Sequence, residues 1–294
     1  MAEHILRQHP LERPEYLRAL EPSLPDIRLP DQISGWHRLT GITPVRQVTL
    51  LLILAAAWQI YASALNNPLI LPSFAQTATA FWSGIVGGEL LLRAWTSIEL
   101  LLAGYAVALV LSFALTLMAI SSRLGADLLT LLASMFNPLP AIALLPLALL
   151  WFGLGEKSLL FVLVHSVTWP LALNTYAGFR GVGETLRMTG HSFGLRGLRY
   201  AFAILIPAAF PSILTGLKIG WAFAWRTLIA AELVFGVSSG SGGLGWYIYE
   251  NRNQLETANV FAGLLTVILI GLAVESLIFR VIERTTVRRW GMYR

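Results

Sequence analysis

The sequence contains no cysteine, which excludes a disulfide framework and a metal site built from thiolates. Charged residues are also scarce: they make up 13% of the 294 residues, whereas a soluble globular domain has about 25%. Hydrophobic residues instead reach 56%, and the mean hydropathy is +0.66. This composition predicts a chain that is solvated largely by lipid.

Motifs for chemistry are missing as well. The sequence has no G-x-x-x-x-G-K-[ST] loop to hold phosphates, so we expect no ATP hydrolysis by this chain. No His, Glu or Asp group has metal-ligand spacing, and no nucleophile–base pair can be argued. Residues 240–245 satisfy G-x-G-x-x-G, but the dinucleotide fingerprint requires a preceding strand. Here a predicted span precedes it, so we expect an outer loop or re-entrant turn. The sequence therefore predicts no catalytic residue, no metal site and no cofactor in this chain.

The first 47 residues form a separate region. They hold six of the fourteen prolines and no apolar run, whereas a signal peptide has its apolar core within about the first 15–30 residues. We expect a cytoplasmic tail over 1–47. Residues 34–47 then form either a linker or an amphipathic elbow on the membrane surface.

Six later segments reach the length of about 20 residues that a membrane-spanning helix needs. They cover residues 48–65, 97–120, 128–152, 158–177, 208–236 and 260–282. The sequence therefore predicts an all-α membrane protein with a transmembrane domain over 48–285 and a cytoplasmic tail over 286–294. The third segment contains Pro138, Pro140 and Pro146, which predict either a broken helix along a transport path or a kinked packing helix.

The distribution of lysine and arginine predicts the orientation. With both termini in the cytoplasm, 16 of the 21 basic residues lie inside and only Arg93, Lys157 and Arg252 lie outside. Lys218 and Arg226 fall within the fifth span. The basic character of the chain thus follows from membrane insertion, and we expect no nucleic-acid partner.

A polar segment over residues 180–207 separates the fourth and fifth spans. It carries four arginines and cannot lie in hydrocarbon. It predicts a short cytoplasmic helix that is broken by Gly190, Gly194 and Gly197 and that docks against a partner protein.

This segment resembles the conserved cytoplasmic loop of binding-protein-dependent ABC transporter permeases. That motif reads Glu-Ala-Ala, three residues, Gly, nine residues and Ile-x-Leu-Pro. Gly194 is followed at the same spacing by Ile204 and Pro207, with Ile206 in place of Leu. The first half departs from the motif, because residues 188–190 read Met-Thr-Gly. Glu184, one turn earlier, is an alternative acidic contact.

Further segments resemble the nitrate/sulfonate/taurine/bicarbonate type of permease. They are Asn-Pro-Leu-Pro-Ala-Ile-Ala-Leu-Leu-Pro at 137–146, Trp-Phe-Gly-Leu-Gly at 151–155, Pro-Ser-Ile-Leu-Thr-Gly-Leu-Lys at 211–218, Ala-Ala-Glu-Leu at 230–233 and Gly-Leu-Gly at 243–245. The resemblance covers residues 48–285.

The resemblance implies a division of labour. This chain would be the permease subunit of an importer in a bacterial inner membrane, in contact with lipid and paired with a second copy of itself. Two ABC ATPase subunits would bind ATP and Mg and move the helix over 188–199. An extracytoplasmic binding protein would deliver the solute. The ATPase-coupling residues would be Glu184, Arg187, Met188, Thr189, Gly190, Gly194, Arg196, Gly197 and Pro207.

Ionisable residues within spans are candidates for function, because each costs about 2.5–3.5 kcal/mol at the bilayer centre. Arg226 and Glu232 are six residues apart, so they point to different faces of a helix. We expect Glu232 to be hydrogen-bonded within the bundle. Arg226 either lines a cavity and attracts an anion or forms an ion pair, with Glu99 or Glu275 as partner. The candidate translocation-path residues are Asn137, Pro140, His165, Trp169, Trp225, Arg226 and Glu232.

Two other classes of protein stay open at this stage. An ion-coupled secondary transporter would show internal repeats with matching intramembrane carboxylates, and no such repeat is evident. A membrane-embedded enzyme or scaffold would need a catalytic constellation or a binding surface unrelated to solute flux, and the sequence offers neither. The solute also stays open among nitrate, bicarbonate, taurine, alkanesulfonates and aromatic carboxylates, with Arg226 favouring an anion. A neighbouring aromatic wall would suit a flat or sulfonated organic anion.

Overall fold

Every regular element in residues 43–235 and 242–289, which the computed structural model describes, is a helix. The all-α prediction is confirmed. Most of the predicted tail over 1–47, most of the elbow, the first two residues of the G-x-G-x-x-G segment and the last five residues lie outside the described residues. Of the described residues, those up to Leu54 fall in one unit and those from Ala55 onward form a second compact unit.

Five helical stretches among the described residues are long and apolar enough to cross a membrane, or six if one bent pair is counted as a span. The unbent stretches are α1 (Thr43–Leu65), α3 (Glu89–Ser121), α6 (Glu156–Arg180), α9 (Ile206–Phe235) and α11 (Thr257–Ala273). A π-helical segment, Ala201–Leu205, precedes α9. Another, Val274–Phe279, joins α11 to α12 (Arg280–Thr285). Several helices are longer than the predicted spans, because a helix continues past its apolar part wherever its backbone bonds can be made.

The third span is the bent pair. It consists of α4 (Arg123–Phe136), a 3-10 turn at Ala141–Leu144 and α5 (Leu145–Phe152), and the two halves meet at 86°. Pro138 and Pro140 occupy the break, which confirms the prediction of a broken helix. Pro146 does not break a helix, since it lies in the first turn of α5, where proline fits without losing a hydrogen bond.

Two helices were not predicted from the sequence. Helix α2 (Phe74–Val86) begins at a capping box in which Ser73 and Gln76 satisfy each other's backbone N–H groups. Helix α10 (Leu244–Asn253) begins at the last two residues of the segment for which an outer loop or turn was expected, and Gly242 and Gly243 before it are not helical. Both are too short to span a membrane, so a search for apolar runs does not find them.

Helix α6 lies at the centre of the bundle, between α3 and α9. It runs parallel to α3, with Ser112 Oγ donating to the Thr168 carbonyl at 3.1 Å, and antiparallel to α9. Small residues allow this close approach: a Cβ added at Gly104 of α3 would meet Leu163, and one added at Gly216 of α9 would meet Asn174. Packing of this kind is the main source of helix association in membranes.

Candidate functional site

A cavity of about 380 Å³ opens beside the break in the third span. Its walls come from that break, from α6 and from α9. Five of the predicted path residues line it, namely Asn137, Pro140, His165, Trp169 and Arg226. The two residues at the break come from non-helical backbone, which a membrane protein tolerates where it lines a cavity.

Aromatic rings form one wall of the cavity. Phe136 stacks on Trp169 with centroids 5.4 Å apart and planes 14° from parallel, and His165 meets Phe136 edge-on at 6.1 Å. Both ring nitrogens of His165 and Nε1 of Trp169 are buried without a hydrogen-bond partner among the described residues. Buried polar atoms are normally hydrogen-bonded, so the wall beside the cavity holds three unsatisfied hydrogen-bonding groups.

Arg226 supplies the positive charge of the cavity. Its Nε donates to the Ala222 carbonyl at 3.0 Å, and its guanidinium carbon lies 4.9 Å from the centre of the Phe223 ring. Among the described residues it forms no ion pair, with Glu99, Glu275 or any other carboxylate. The guanidinium is therefore held in place by neutral groups, and no carboxylate of the described residues pairs with it.

Glu232 lies away from the cavity and is fully buried. Ser97 Oγ donates to its carboxylate at 2.9 Å, and the Gly245 N–H donates at 2.8 Å. Ser97 Oγ also accepts from the Leu244 N–H at 2.9 Å. Glu232 therefore joins α9, α3 and the start of α10, as the expectation of a hydrogen bond within the bundle requires.

Trp225 also lies outside the cavity. It is buried, and its Nε1 donates to the Val267 carbonyl of α11 at 3.2 Å. It joins α9 to the sixth span. The two path candidates outside the cavity thus hold helices together at the positions where the structure places them.

A second contact that sequence reasoning missed holds α10 at the same end. Arg93 donates to the Gly242 carbonyl at 3.0 Å and to Glu250 at 3.2 Å. Beside this pair, burial together with the charges of Glu89 and Glu256 raises the pKa of Tyr247 to about 12, so that phenol stays neutral. The available signal was that Arg93 is one of only three basic residues on the predicted outer side.

The polar segment contains one helix, α7 (Glu184–Ser192), followed by the short α8 (Gly197–Tyr200). Arg187 donates to the carbonyls of Phe179 and Val182, at 2.7 and 3.1 Å. These bonds satisfy carbonyls at the C-terminal end of α6 and fix α7 against it. Arg187 is thus largely occupied by its own chain.

The prediction that all three glycines of this segment break a helix is wrong for Gly190. Gly190 lies inside α7, where an added Cβ would come within 2.7 Å of the Tyr200 ring, so it permits close packing. Gly194 (φ +71°) and Gly197 (φ +56°) have left-handed backbone with no atom within 4 Å of an added Cβ. The predicted helix over 188–199 therefore ends at Ser192.

Gly194 closes α7 with a Schellman motif. Its N–H bonds to the His191 carbonyl at 2.9 Å, and the Leu195 N–H bonds to the Gly190 carbonyl at 3.1 Å. This motif needs a left-handed residue, for which glycine pays no Cβ penalty. Farther along, Pro207 lies just after the π-helical segment Ala201–Leu205, in a helix that continues into α9.

Replacing Gly194 with alanine is expected to loosen the end of α7. A left-handed L-residue costs about 1–2 kcal/mol, which corresponds to roughly tenfold faster amide exchange over residues 190–195. Gly183→Ala is the control, because its added Cβ also meets nothing within 4 Å and its φ is −59°. Equal exchange in the two variants would contradict a conformational role for Gly194.

The exposed face of α7, together with Phe193 directly after it, presents apolar side chains. Met188 is 61% exposed and Phe193 is 79% exposed. Glu184, Thr189 and Arg196 are exposed around them. A pair of exposed apolar side chains with a polar rim is typical of a protein contact surface.

A helical bundle with a broken span beside a cavity and an exposed helix at one end has the architecture of a membrane-embedded transport protein. Residues 108–287 match the family of binding-protein-dependent transport system inner membrane components. The chain belongs to this family, and the resemblance to ABC transporter permeases is confirmed.

The chain is similar to several permeases, and some of these relatives are named for a solute. It is 31% identical to a putative ABC transporter permease protein of Methanocaldococcus jannaschii, over 79% of this chain and 87% of the relative. It is 30% identical to a putative aliphatic sulfonates transport permease of Escherichia coli, over 74% and 82%. It is 28% identical to a nitrate import permease of Synechocystis, over 80% and 86%.

Proposed function

We propose that this chain is the translocating subunit of an ABC importer for a small anion. The observation that carries the proposal is the cavity beside the break in the third span, which is lined by Arg226, His165 and Trp169. A guanidinium binds planar oxyanions through paired hydrogen bonds, and an aromatic wall accommodates an apolar or flat remainder. The binding protein on the outer side would deliver the solute.

The names of the relatives support an oxyanion. They are permeases for aliphatic sulfonates, nitrate and, in a further Escherichia coli protein that is 29% identical, taurine. A nitrate group is planar and a sulfonate group is pyramidal. In both groups the negative charge is shared among three oxygen atoms. This shared chemistry fits a guanidinium that its own chain leaves without a carboxylate partner among the described residues.

The exposed face of α7 is the proposed docking surface for the ATPase, with one ATPase for each of two permease copies. Movement of α7 would reach α6 through the Arg187 bonds and α9 through the segment at Ala201–Leu205. The chain would contribute no residue to ATP hydrolysis, and ATP and Mg would bind to the partner. Both termini would lie in the cytoplasm of a bacterial inner membrane.

Charged substitutions on this face are expected to uncouple the ATPase. Met188→Glu together with Phe193→Glu should reduce ATPase binding by about a hundredfold, because central apolar contacts each contribute roughly 1–2 kcal/mol or more. The measurement is ATPase retention on the purified permease. Leu124→Glu is the control, since Leu124 is 80% exposed at the same end but lies outside the polar segment. Loss in the control alone, or in neither variant, would contradict the proposed docking face.

Uptake by vesicles that contain the permease, its ATPase and its binding protein tests the whole proposal. We expect uptake of sulfonate or another oxyanion that requires ATP and the binding protein together. Uptake by the permease alone, driven by an ion gradient, would instead establish a secondary transporter.

A further inference from the structure

A second cavity, of about 290 Å³, lies where α3 and α6 end beside the polar segment. Its polar lining consists of Arg180, Arg187 and Tyr176, and the remainder is apolar. It shares no residue with the cavity at Arg226. It is therefore a separate candidate site.

An apolar groove of about 170 Å³ adjoins this cavity. The two share Ile120, Phe179 and Leu205 on their walls. The groove continues along α3 to Phe113 and is bordered on its other side by Phe202, which is 68% exposed. From Ile120 to Phe113 is seven residues, or about 10 Å of helix, so the groove extends well into the depth of the spans.

The charge in the cavity is positive, and no acidic residue that the structure describes pairs with it. Arg180 lies 5.8 Å from the Tyr176 ring centre and forms no ion pair with a described residue. Arg187 uses Nε and Nη2 for carbonyls of its own chain. No acidic residue lines the cavity or the groove. An anion can therefore approach both guanidinium groups.

We propose that this cavity and groove bind one anionic phospholipid of the cytoplasmic leaflet. Its phosphate lies against Arg180 and Arg187, and an acyl chain lies along Phe113, Leu117 and Phe202. Guanidinium groups bind phosphate with paired hydrogen bonds. Basic pockets between spans on the cytoplasmic side are suited to anionic head groups.

The geometry favours a lipid over a free phosphate or a protein segment. The polar part lies at the end of α6, where a span meets the interface, and the apolar part runs from there into the bilayer depth. Head group and acyl chain have this same order and direction. A free phosphate would leave the groove uncovered, and a soluble partner would not reach along the spans.

A bound lipid would also brace the docking segment. Arg187 connects α7 to the end of α6, and Leu205 of the groove belongs to the segment that leads into α9. A phospholipid in this position would contact the two elements through which we propose that α7 moves the bundle. The leaflet assignment rests on the proposed orientation, whereas the lipid contact itself does not depend on transport.

Native mass spectrometry of the purified full-length protein tests the proposal. Samples are prepared in mild detergent with added phosphatidylglycerol, phosphatidylcholine or inorganic phosphate. We expect one retained phosphatidylglycerol, and Arg180→Gln should lower its retention about tenfold or more, because a charge-assisted contact is lost. Phe202→Ser should lower it as well, since the acyl contact shrinks. Arg123→Gln is the control: Arg123 is exposed at the same end and lines neither cavity.

Each other outcome would overturn the proposal. Equal retention of phosphatidylcholine would show an apolar contact without head-group selection. Binding of inorganic phosphate with no lipid would show a simple anion site. A dimer that crosslinks through a cysteine at Phe202 and excludes lipid would show that a second copy covers the groove. Thermal unfolding of each variant separates loss of binding from loss of fold.

Discussion

Arg226→Gln is expected to lower the transport efficiency for an anionic solute about ten- to a hundredfold. The guanidinium is held by the Ala222 carbonyl and the Phe223 ring, and it points into the cavity without a carboxylate partner among the described residues. Removing a charged hydrogen-bond donor costs about 1.5–3 kcal/mol, which gives this range. Initial uptake rates in reconstituted vesicles, with the ATPase and binding protein present, provide the measurement.

Two controls separate charge from fold. Arg226→Lys keeps the charge but loses the planar pair of donors, so we expect intermediate uptake. Arg252→Gln removes an exposed arginine from α10 that lines none of the cavities described above. Unchanged uptake in Arg226→Gln, with normal amounts of protein in the membrane, would rule out a solute contact. If Arg226→Gln and Arg252→Gln lowered uptake equally, the loss would reflect general surface charge and not a contact with the solute.

Gly245→Ala is expected to lower the melting temperature by about 5 °C or more. An added Cβ would come within 2.5 Å of the Glu232 Cβ and 2.6 Å of the Ile229 carbonyl oxygen. The backbone of α9 cannot yield as a flexible side chain can. Overpacking costs about 1–3 kcal/mol, and the Glu232 bond to the Gly245 N–H would lengthen. Thermal unfolding of the detergent-purified protein measures the effect.

Gly183→Ala again provides the matched control, because its Cβ meets nothing within 4 Å. We expect its melting temperature to stay within about 1 °C of the wild type, as for most substitutions away from packed sites. Similar melting temperatures for the two variants would contradict the close contact between α9 and α10. Ser97→Ala is a second test of this contact. We expect it to lower the melting temperature, because Ser97 bonds to both Glu232 and the Leu244 N–H.

Local sequence signals predicted the parts of the candidate site that depend on one element. His165 and Trp169 are four residues apart and therefore share a face of α6, and Arg226 stood out as a charge within a span. The break at Pro138 and Pro140 followed from proline chemistry. Composition and the lengths of the apolar segments were sufficient to predict the all-α membrane fold.

Contacts between distant parts of the chain could not be predicted in this way. Ser97 and Glu232 are 135 positions apart, and Arg93 and Glu250 are 157 apart. A single sequence shows each residue but not its partner. Backbone conformation was also hidden: Gly190 and Gly194 look alike in sequence, yet one permits packing against Tyr200 and the other adopts φ +71°.

Affinity purification of this chain from mildly solubilised membranes of its host tests the central claim most directly. The proposal predicts that a P-loop ATPase is recovered in amounts comparable to the permease and is lost in the Met188→Glu, Phe193→Glu variant. Mass spectrometry of the purified material identifies it. Recovery of the permease without any ATPase, under conditions that keep a control importer intact, would contradict the claim.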